Sequence, residues 1–174
     1  MEHGQKISAL ELALTNELNE REFYLRHADR TRNELGRNMF RQLADDEAEH
    51  YARLKDLHES WSRKGAWPET VDAGLKQAAI RQAMQDLLAK TSAAPQADRD
   101  DLEALQVAAA FEARGMEAYG ALARDMTDAR EKAFFEFLAS MEREHYLAIK
   151  DVEEYLLDPQ AWHARRERHG LDGA

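Results

Sequence analysis

The sequence contains no cysteine, and only three prolines and eight glycines among its 174 residues. Without cysteine the chain can form no disulfide and no thiolate-ligated iron or zinc site, and it has no thiol chemistry. The scarcity of Pro and Gly, together with abundant Ala, Leu, Glu, Arg and Gln, is typical of a helical protein. No run of about 18 apolar residues occurs, so no membrane-spanning helix is predicted.

Basic residues are also in the minority, and the formal net charge is −10. This charge disfavours nucleic acid as a partner and raises the local concentration of cations. The opening residues MEHGQKIS lack the apolar stretch of a secretion signal, so a cytoplasmic protein is expected. The length is sufficient for one well-filled core and short for two domains.

The chain contains one internal repeat. Residues 6–59 align without a gap with residues 101–154, with about 17 identities in 54 positions. Two copies are too few for a repeat array, so the repeat indicates two equivalent halves of one fold. The polar pairs that recur at the offset of 95 are Glu17/Glu112, Tyr24/Tyr119, Glu47/Glu142 and His50/His145.

Each half predicts two helices. Ser8-x-x-Glu11 and Thr31-x-x-Glu34 have the spacing of capping boxes, and Thr127 is a candidate N-cap in the second half. The apolar residues that follow recur three and four positions apart, as on the buried face of a helix. The predicted helices cover residues 8–30, 31–60, 98–125 and 128–157.

This order of elements predicts an all-α four-helix bundle. The short breaks favour two antiparallel hairpins, at residues 8–60 and 98–158, and the long crossover 61–97 lets the second hairpin pack beside the first. An amphipathic stretch at 71–90 predicts a peripheral fifth helix within the crossover. Pro159 should end the fourth helix, so that the bundle covers 1–158 and 159–174 form a short tail with Trp162.

The recurring acidic residues and histidines lie on the inward faces of these helices. Residues three apart share a helix face, so each Glu-x-x-His pair presents a carboxylate and an imidazole to the same point. Burying carboxylates without compensation costs several kcal/mol each, in a domain stable by roughly 5–15 kcal/mol. Two divalent cations would balance the four glutamates, Glu17, Glu47, Glu112 and Glu142, whose cluster also includes His50 and His145.

A single Glu-x-x-His on a helix is usually part of a solvated face. Two copies at matching offsets, each with a partner glutamate 30 residues upstream, indicate a metal site instead. Carboxylates mixed with imidazole suit iron or manganese better than zinc. One Glu from each of two helices and one Glu-x-x-His from each of the other two is the di-iron or di-manganese arrangement of ferritin-like bundles.

Tyr24 and Tyr119 lie two turns from Glu17 and Glu112 on the same helix faces. Each phenol is either a hydrogen-bond donor to a ligand carboxylate of the opposite half or an ordinary core tyrosine. Both are candidate catalytic residues. The acidic residues that flank the ligands rotate off the inward face and are predicted to be solvated; they are Glu22, Asp46, Glu49 and Glu144.

The paired pattern resembles the ferritin-like di-iron domain of the rubrerythrin family over nearly the whole chain apart from the tail. The resemblance implies two iron ions, with manganese as an alternative, and Glu47 and Glu142 as bridges between them. In that family the diferrous site reduces hydrogen peroxide. The chain differs from rubrerythrins in having no cysteine-bearing rubredoxin domain and in carrying Gly115 where they have an additional glutamate.

The resemblance implies a di-iron peroxidase that acts on hydrogen peroxide or oxygen and takes electrons from an external donor, as a homodimer. Two alternatives remain open at this stage. One is a ferroxidase or iron-handling protein, which should assemble into a large shell. The other is a helical interaction module in which the metal only holds the helices together. That metal would not change its oxidation state when peroxide is added.

Glu20 is a seventh candidate ligand. It stands three residues after Glu17, and its repeat partner is Gly115. Rubrerythrins carry their additional glutamate on the third helix, whereas here Glu20 lies at the matching position of the first helix. By the relation between the two halves, Glu20 would bind the iron held by His145, and Gly115 would leave room for the Glu20 side chain. The alternative is a side chain that bends out to solvent.

Overall fold

The computed structural model describes residues 3–65, 80, 84, 88 and 99–171. Within this part of the chain all regular structure is helical, which confirms the predicted all-α class. The helices are α1 (His3–Arg30), α2 (Glu34–Lys64), α3 (Arg99–Asp125), α4 (Ala129–Leu157) and α5 (Pro159–Leu171). None of them combines the length and the apolar character that crossing a bilayer requires.

The helices form two hairpins. The closest packing is between α1 and α2 and between α3 and α4, and three-residue connections make each pair antiparallel. The hairpins meet through contacts of α1 with α3 and of α2 with α4. This is the predicted ferritin-like arrangement of two repeated hairpins in a four-helix bundle.

The helix starts differ from the predicted ones. Asn33 caps α2, its side-chain oxygen accepting hydrogen bonds from the amides of Leu35 and Gly36, while Thr31 accepts one from the Asn33 amide. Asp128 caps α4 in the same way, one residue after the predicted Thr127. Ser8 lies inside α1, so no capping box forms there. Asn and Asp cap at least as well as Thr, and position relative to the turn decides between neighbours.

Two apolar clusters fill the bundle, one toward each end. The first contains residues such as Phe40, Leu43 and Ile149, and the second contains residues such as Leu10, Leu54 and Phe135. Between the residues of the two clusters, α1 and α3 each carry one of the recurring glutamates, and α2 and α4 each carry one Glu-x-x-His pair. The polar residues therefore form a layer, here called the polar layer, between the two apolar clusters.

The crossover contributes to the first cluster. Ile80, Met84 and Leu88 are helical and buried there, at a spacing of four residues. The remaining positions of the fifth helix predicted at 71–90 lie outside the described residues.

The segment predicted as a short tail is a helix. Pro159 ends α4 but also suits the first turn of a helix, because its missing N–H needs no partner there. The Asp158 side chain accepts a hydrogen bond from the amide of Ala161 in that turn. Trp162, only 4% exposed, then packs edge-on against Tyr155 with ring centroids 5.5 Å apart. The chain after Pro159 thus adds to the core.

We predict that Asn33→Ala lowers the free energy of unfolding by about 1 kcal/mol, because two amides of α2 lose their acceptor. Asn38→Ala, the same change at an exposed position inside α2, should be neutral or slightly stabilising. Urea denaturation of both variants checks this. Equal stability of the two variants would contradict the assignment of the cap.

Candidate metal centre

The four bundle helices bring the six recurring residues of the two halves together in the polar layer. None of them is more than 3% exposed. α1 and α3 contribute one carboxylate each, and α2 and α4 contribute one Glu-x-x-His pair each. The six residues are Glu17, Glu47, His50, Glu112, Glu142 and His145.

These side chains form two overlapping groups that could each hold a metal ion. In each group one ligand atom per residue lies within 4.8 Å of all the others. Glu47 and Glu142 belong to both groups. The groups are Glu17, Glu47, His50 and Glu142, and Glu47, Glu112, Glu142 and His145.

The first imidazole points its Nδ1 atom at carboxylates. His50 Nδ1 lies 2.9 Å from an oxygen of Glu47, 3.3 Å from Glu17 and 3.5 Å from Glu142. The contact with Glu47 follows from their spacing of three residues, which places both on one face of α2. The other two carboxylates come from α1 and α4.

The second imidazole also points its Nδ1 atom at carboxylates, here those of α2 and α3. His145 Nδ1 lies 3.3 Å from an oxygen of Glu47 and 3.4 Å from Glu112. The two rings are nearly parallel, with centroids 5.5 Å apart. Both Nδ1 atoms therefore face the centre that the carboxylates surround.

Several polar atoms of this layer make no well-aligned hydrogen bond within the described part of the chain, although an imidazole Nδ1 lies 3.3 to 3.5 Å from four of them. They include one oxygen each of Glu17, Glu47 and Glu112, both oxygens of Glu142, and His145 Nδ1. Buried polar groups are almost always paired, so a concentration of unpaired acceptors around one point is a feature of a cation site. A mixed carboxylate and imidazole donor set fits divalent iron or manganese.

Both tyrosines hydrogen-bond across the halves. The Tyr24 hydroxyl donates to Glu112, and the Tyr119 hydroxyl donates to Glu17. Of the two alternatives, the structure thus shows the hydrogen bond to a carboxylate of the opposite half, while a catalytic role for the tyrosines stays a prediction. Each phenol occupies one oxygen of a carboxylate and leaves the other free for the centre.

Burial and mutual repulsion perturb the carboxyl groups. Burial and the charge of Glu47 raise the pKa of Glu17 to about 7. Burial, together with Glu47 and Glu112, raises the pKa of Glu142 well above its usual range. Glu47 departs from the expected rise, because the charges of His50 and His145 and the hydrogen bond with His50 outweigh its burial and lower its pKa below the usual range.

The pKa values of both imidazoles shift in the direction opposite to the one that burial alone would cause. Burial alone would lower the pKa of His50, but Glu47 and Glu17 raise it to about 10. The pKa of His145 is likewise raised well above its usual range, against its burial, by Glu112 and Asp46. In the metal-free protein, protons on the imidazoles and on some carboxyls therefore balance charge that cations would otherwise balance.

The sequence-based prediction for Asp46 is wrong. Glu22 and Glu49 are exposed as expected, but the Asp46 carboxylate lies 3.1 Å from His145 Nε2 and only 14% of its side chain is exposed. A carboxylate on the outer nitrogen orients a ligating imidazole and raises its basicity. This contact joins α2 to α4, so the spacing of residues along α2 alone does not predict it.

The two halves differ at this point. The repeat partner of Asp46 is Met141, so His50 has no equivalent carboxylate, and His50 Nε2 has no hydrogen-bond partner among the described residues. Among the described residues, a carboxylate therefore holds the outer nitrogen of His145 but not that of His50.

Glu20 is buried, at 9% exposure, so the solvent-facing alternative is wrong. Burial and the charges of Glu47 and Glu112 raise its pKa to about 9. It belongs to neither group of four, and metal binding by Glu20 stays a prediction. Gly115 and Glu20 line the same cleft between α1 and α3, and a Cβ at position 115 would lie 3.1 Å from the Glu142 side chain. Glycine at 115 thus makes room for Glu142.

We predict that the metal-free protein loses stability as the pH rises from about 5 to about 9. Over this range the folded state binds more protons than the unfolded state, because the pKa values of Glu17 and His50 are raised from 4.5 and 6.5. The contribution of Glu17 is lost as the pH passes about 7, and that of His50 as it approaches about 10.

The melting temperature of the chelator-treated protein, recorded across this pH range, checks the prediction. Bound metal requires the ligands to be deprotonated, so the stabilisation by added Fe(II) or Mn(II) should grow with pH. A metal-free protein whose melting temperature rises between pH 5 and 9 would contradict the assigned shifts.

We predict that Asp46→Ala weakens metal binding by about 10- to 100-fold at the group that contains His145. Asp45→Ala, at the exposed neighbouring position, is the matched control and should bind metal as the unchanged protein does. Competition with a chromophoric chelator measures both. Equal affinities of the two variants would show that Asp46 does not support the imidazole.

A comparison with known protein families agrees with this geometry. The family model described as Rubrerythrin matches residues 8–153, which include most of both hairpins and all six paired residues. Searches of curated proteins and of solved structures each gave no match. Because the matched segment covers most of the sequence, the chain belongs to the rubrerythrin family.

Proposed function

We propose that the protein binds two iron ions in the polar layer and uses them to reduce hydrogen peroxide to water. The observation that carries this proposal is the pair of four-residue ligand groups that share Glu47 and Glu142. Two shared carboxylates would hold two ions close together, as a two-electron reaction on one O–O bond requires. Membership of the rubrerythrin family supports iron as the metal.

The ligand roles follow the two groups. Glu17 and His50 would bind one ion, Glu112 and His145 would bind the other, and the two shared glutamates would bridge them. The near-twofold repeat gives both ions the same donor types, one terminal carboxylate and one imidazole each. Such matched environments suit a pair of ions that change oxidation state together.

When bound, iron supplies the electrons: two Fe(II) become two Fe(III), and one H₂O₂ with two protons becomes two waters. The chain supplies the environment. Tyr24 and Tyr119 hold the terminal carboxylates in place, and the apolar clusters above and below the layer exclude water. His145, oriented by Asp46, is kept with Nδ1 toward the centre.

Return to the diferrous state needs an external electron donor. The chain has no cysteine and so carries no rubredoxin-type iron site of its own. We include in the proposal a separate donor protein or small reductant, and a homodimer as the assembly. Sizing by light scattering separates a dimer from the large shell expected of an iron-storage protein.

We predict that protein loaded anaerobically with two Fe(II) per chain is oxidised by one equivalent of H₂O₂, faster than by the same concentration of O₂. The absorbance of Fe(III) follows the oxidation, and a ferrous-specific chelator counts the remaining Fe(II). Glu47→Ala should bind fewer of both ions because it removes a shared carboxylate, whereas the exposed Glu49→Ala should behave as the unchanged protein.

Three other outcomes would overturn the proposal. Faster oxidation by O₂ with continued consumption of added Fe(II) would indicate a ferroxidase. Metal that binds but keeps its oxidation state when peroxide is added would indicate that the metal only stabilises the fold. Iron content that is unaffected by Glu47→Ala would contradict the location of the centre.

A further inference from the structure

A cleft of about 200 Å³ opens between the first half of α1 and the second half of α3. Its walls are mostly small or aliphatic, among them Ala9, Ala118 and Leu122. Glu17 and Tyr119 also line it, and at 2% and 3% exposure they form its floor. The cleft therefore runs from solvent to a terminal carboxylate of the metal centre and to the phenol that holds it.

The cleft exists because the repeat is imperfect. In the other half of the same groove, Phe23 of α1 and Phe111 of α3 pack edge-to-face with ring centroids 5.0 Å apart. Their repeat partners are Ala118 and Asn16, which both line the cleft. Two aromatic rings thus close one half of the α1–α3 groove, and an alanine and an asparagine leave the other half open.

The lining is largely apolar and disfavours anions. No Lys, Arg or His lines the cleft within the described part of the chain, whereas Glu20 and Asp125 do. An anionic ligand would meet carboxylates and no cation. A cavity of roughly 150 Å³ with apolar walls is large enough to bind benzene, so this cleft has room for an aryl or short alkyl group.

We propose that the cleft binds the organic group of a neutral hydroperoxide, so that the protein reduces small alkyl and aryl hydroperoxides as well as hydrogen peroxide. The inference rests on the proposed peroxide reduction for its chemistry and on the cleft for its substrate. The O–O bond breaks as ROOH takes up two electrons and two protons to give ROH and water. The electrons come from two Fe(II), which the external donor restores.

The first test measures binding alone. The diferric protein is titrated calorimetrically with 2-phenyl-2-propanol, the neutral alcohol that cumene hydroperoxide would yield. Ala118→Phe places in the open half the residue that Phe23 supplies in the closed half, and should weaken binding about ten-fold or more. Ala110→Phe, the same change at an exposed position of α3 outside the cleft, should bind the alcohol as the unchanged protein does.

Asn16→Phe, which introduces the residue that Phe111 supplies in the closed half, is a second way to fill the cleft if Ala118→Phe does not fold. Binding that is absent in the unchanged protein, or unaffected in both filled variants, would overturn the inference. Dissociation of a dimer in both filled variants but not in Ala110→Phe would also overturn it, because the cleft would then be covered by a second copy of the chain.

The second test compares turnover of cumene hydroperoxide and hydrogen peroxide. The ratio of their kcat/KM values should fall about ten-fold or more in Ala118→Phe and stay unchanged in Ala110→Phe. Reduction of hydrogen peroxide without alcohol binding would refute the proposed role of the cleft but not the proposed peroxide reduction. Alcohol binding without reduction of either peroxide would refute the proposed function and, with it, the hydroperoxide as substrate.

Discussion

The burial of four carboxylates between two apolar clusters is the constraint on which the structure depends. Like charges this close cannot all remain ionised without compensation, and the two imidazoles supply only part of it. The raised pKa values of Glu17 and Glu142 and of both histidines show how protons make up the difference in the metal-free protein. Two divalent cations would replace those protons, which links metal binding, protonation and stability in one layer.

The repeat organises this layer but does not make it symmetric. Both halves supply the same ligand types, and each tyrosine holds a carboxylate of the other half. The halves differ in the surroundings: Asp46 supports His145 but Met141 stands in its place beside His50. The α1–α3 groove is likewise closed by aromatic rings on one side only. Equal ligands therefore lie in unequal surroundings, and on the side of Glu17 and Tyr119 a cleft reaches the polar layer.

Much of the fold follows from local pattern. Helical periodicity, two short connections and a long crossover were sufficient to predict the four bundle helices to within a few residues, apart from the start of α1 at His3. The differences lie at the ends of elements. Asn33 rather than Thr31 caps α2, and the segment after Pro159 continues as a helix because Trp162 finds a buried place against Tyr155. The cap is a local contact whose position depends on where the turn ends. The last helix, in contrast, depends on a contact made when it packs against α4.

The sequence alone was enough to predict that six polar residues lie together. The spacing of three places a carboxylate and an imidazole on one helix face in each Glu-x-x-His pair, and the structure brings all six residues into two groups that could hold metal ions. The matching offset of 95 then related the two halves. Tertiary structure decided everything that depends on neighbours from other helices. The Asp46 contact with His145, the lowered pKa of Glu47 between two imidazoles, the use of Gly115 by Glu142 and the cleft between α1 and α3 all arise from distances between elements, which a period along one helix does not contain.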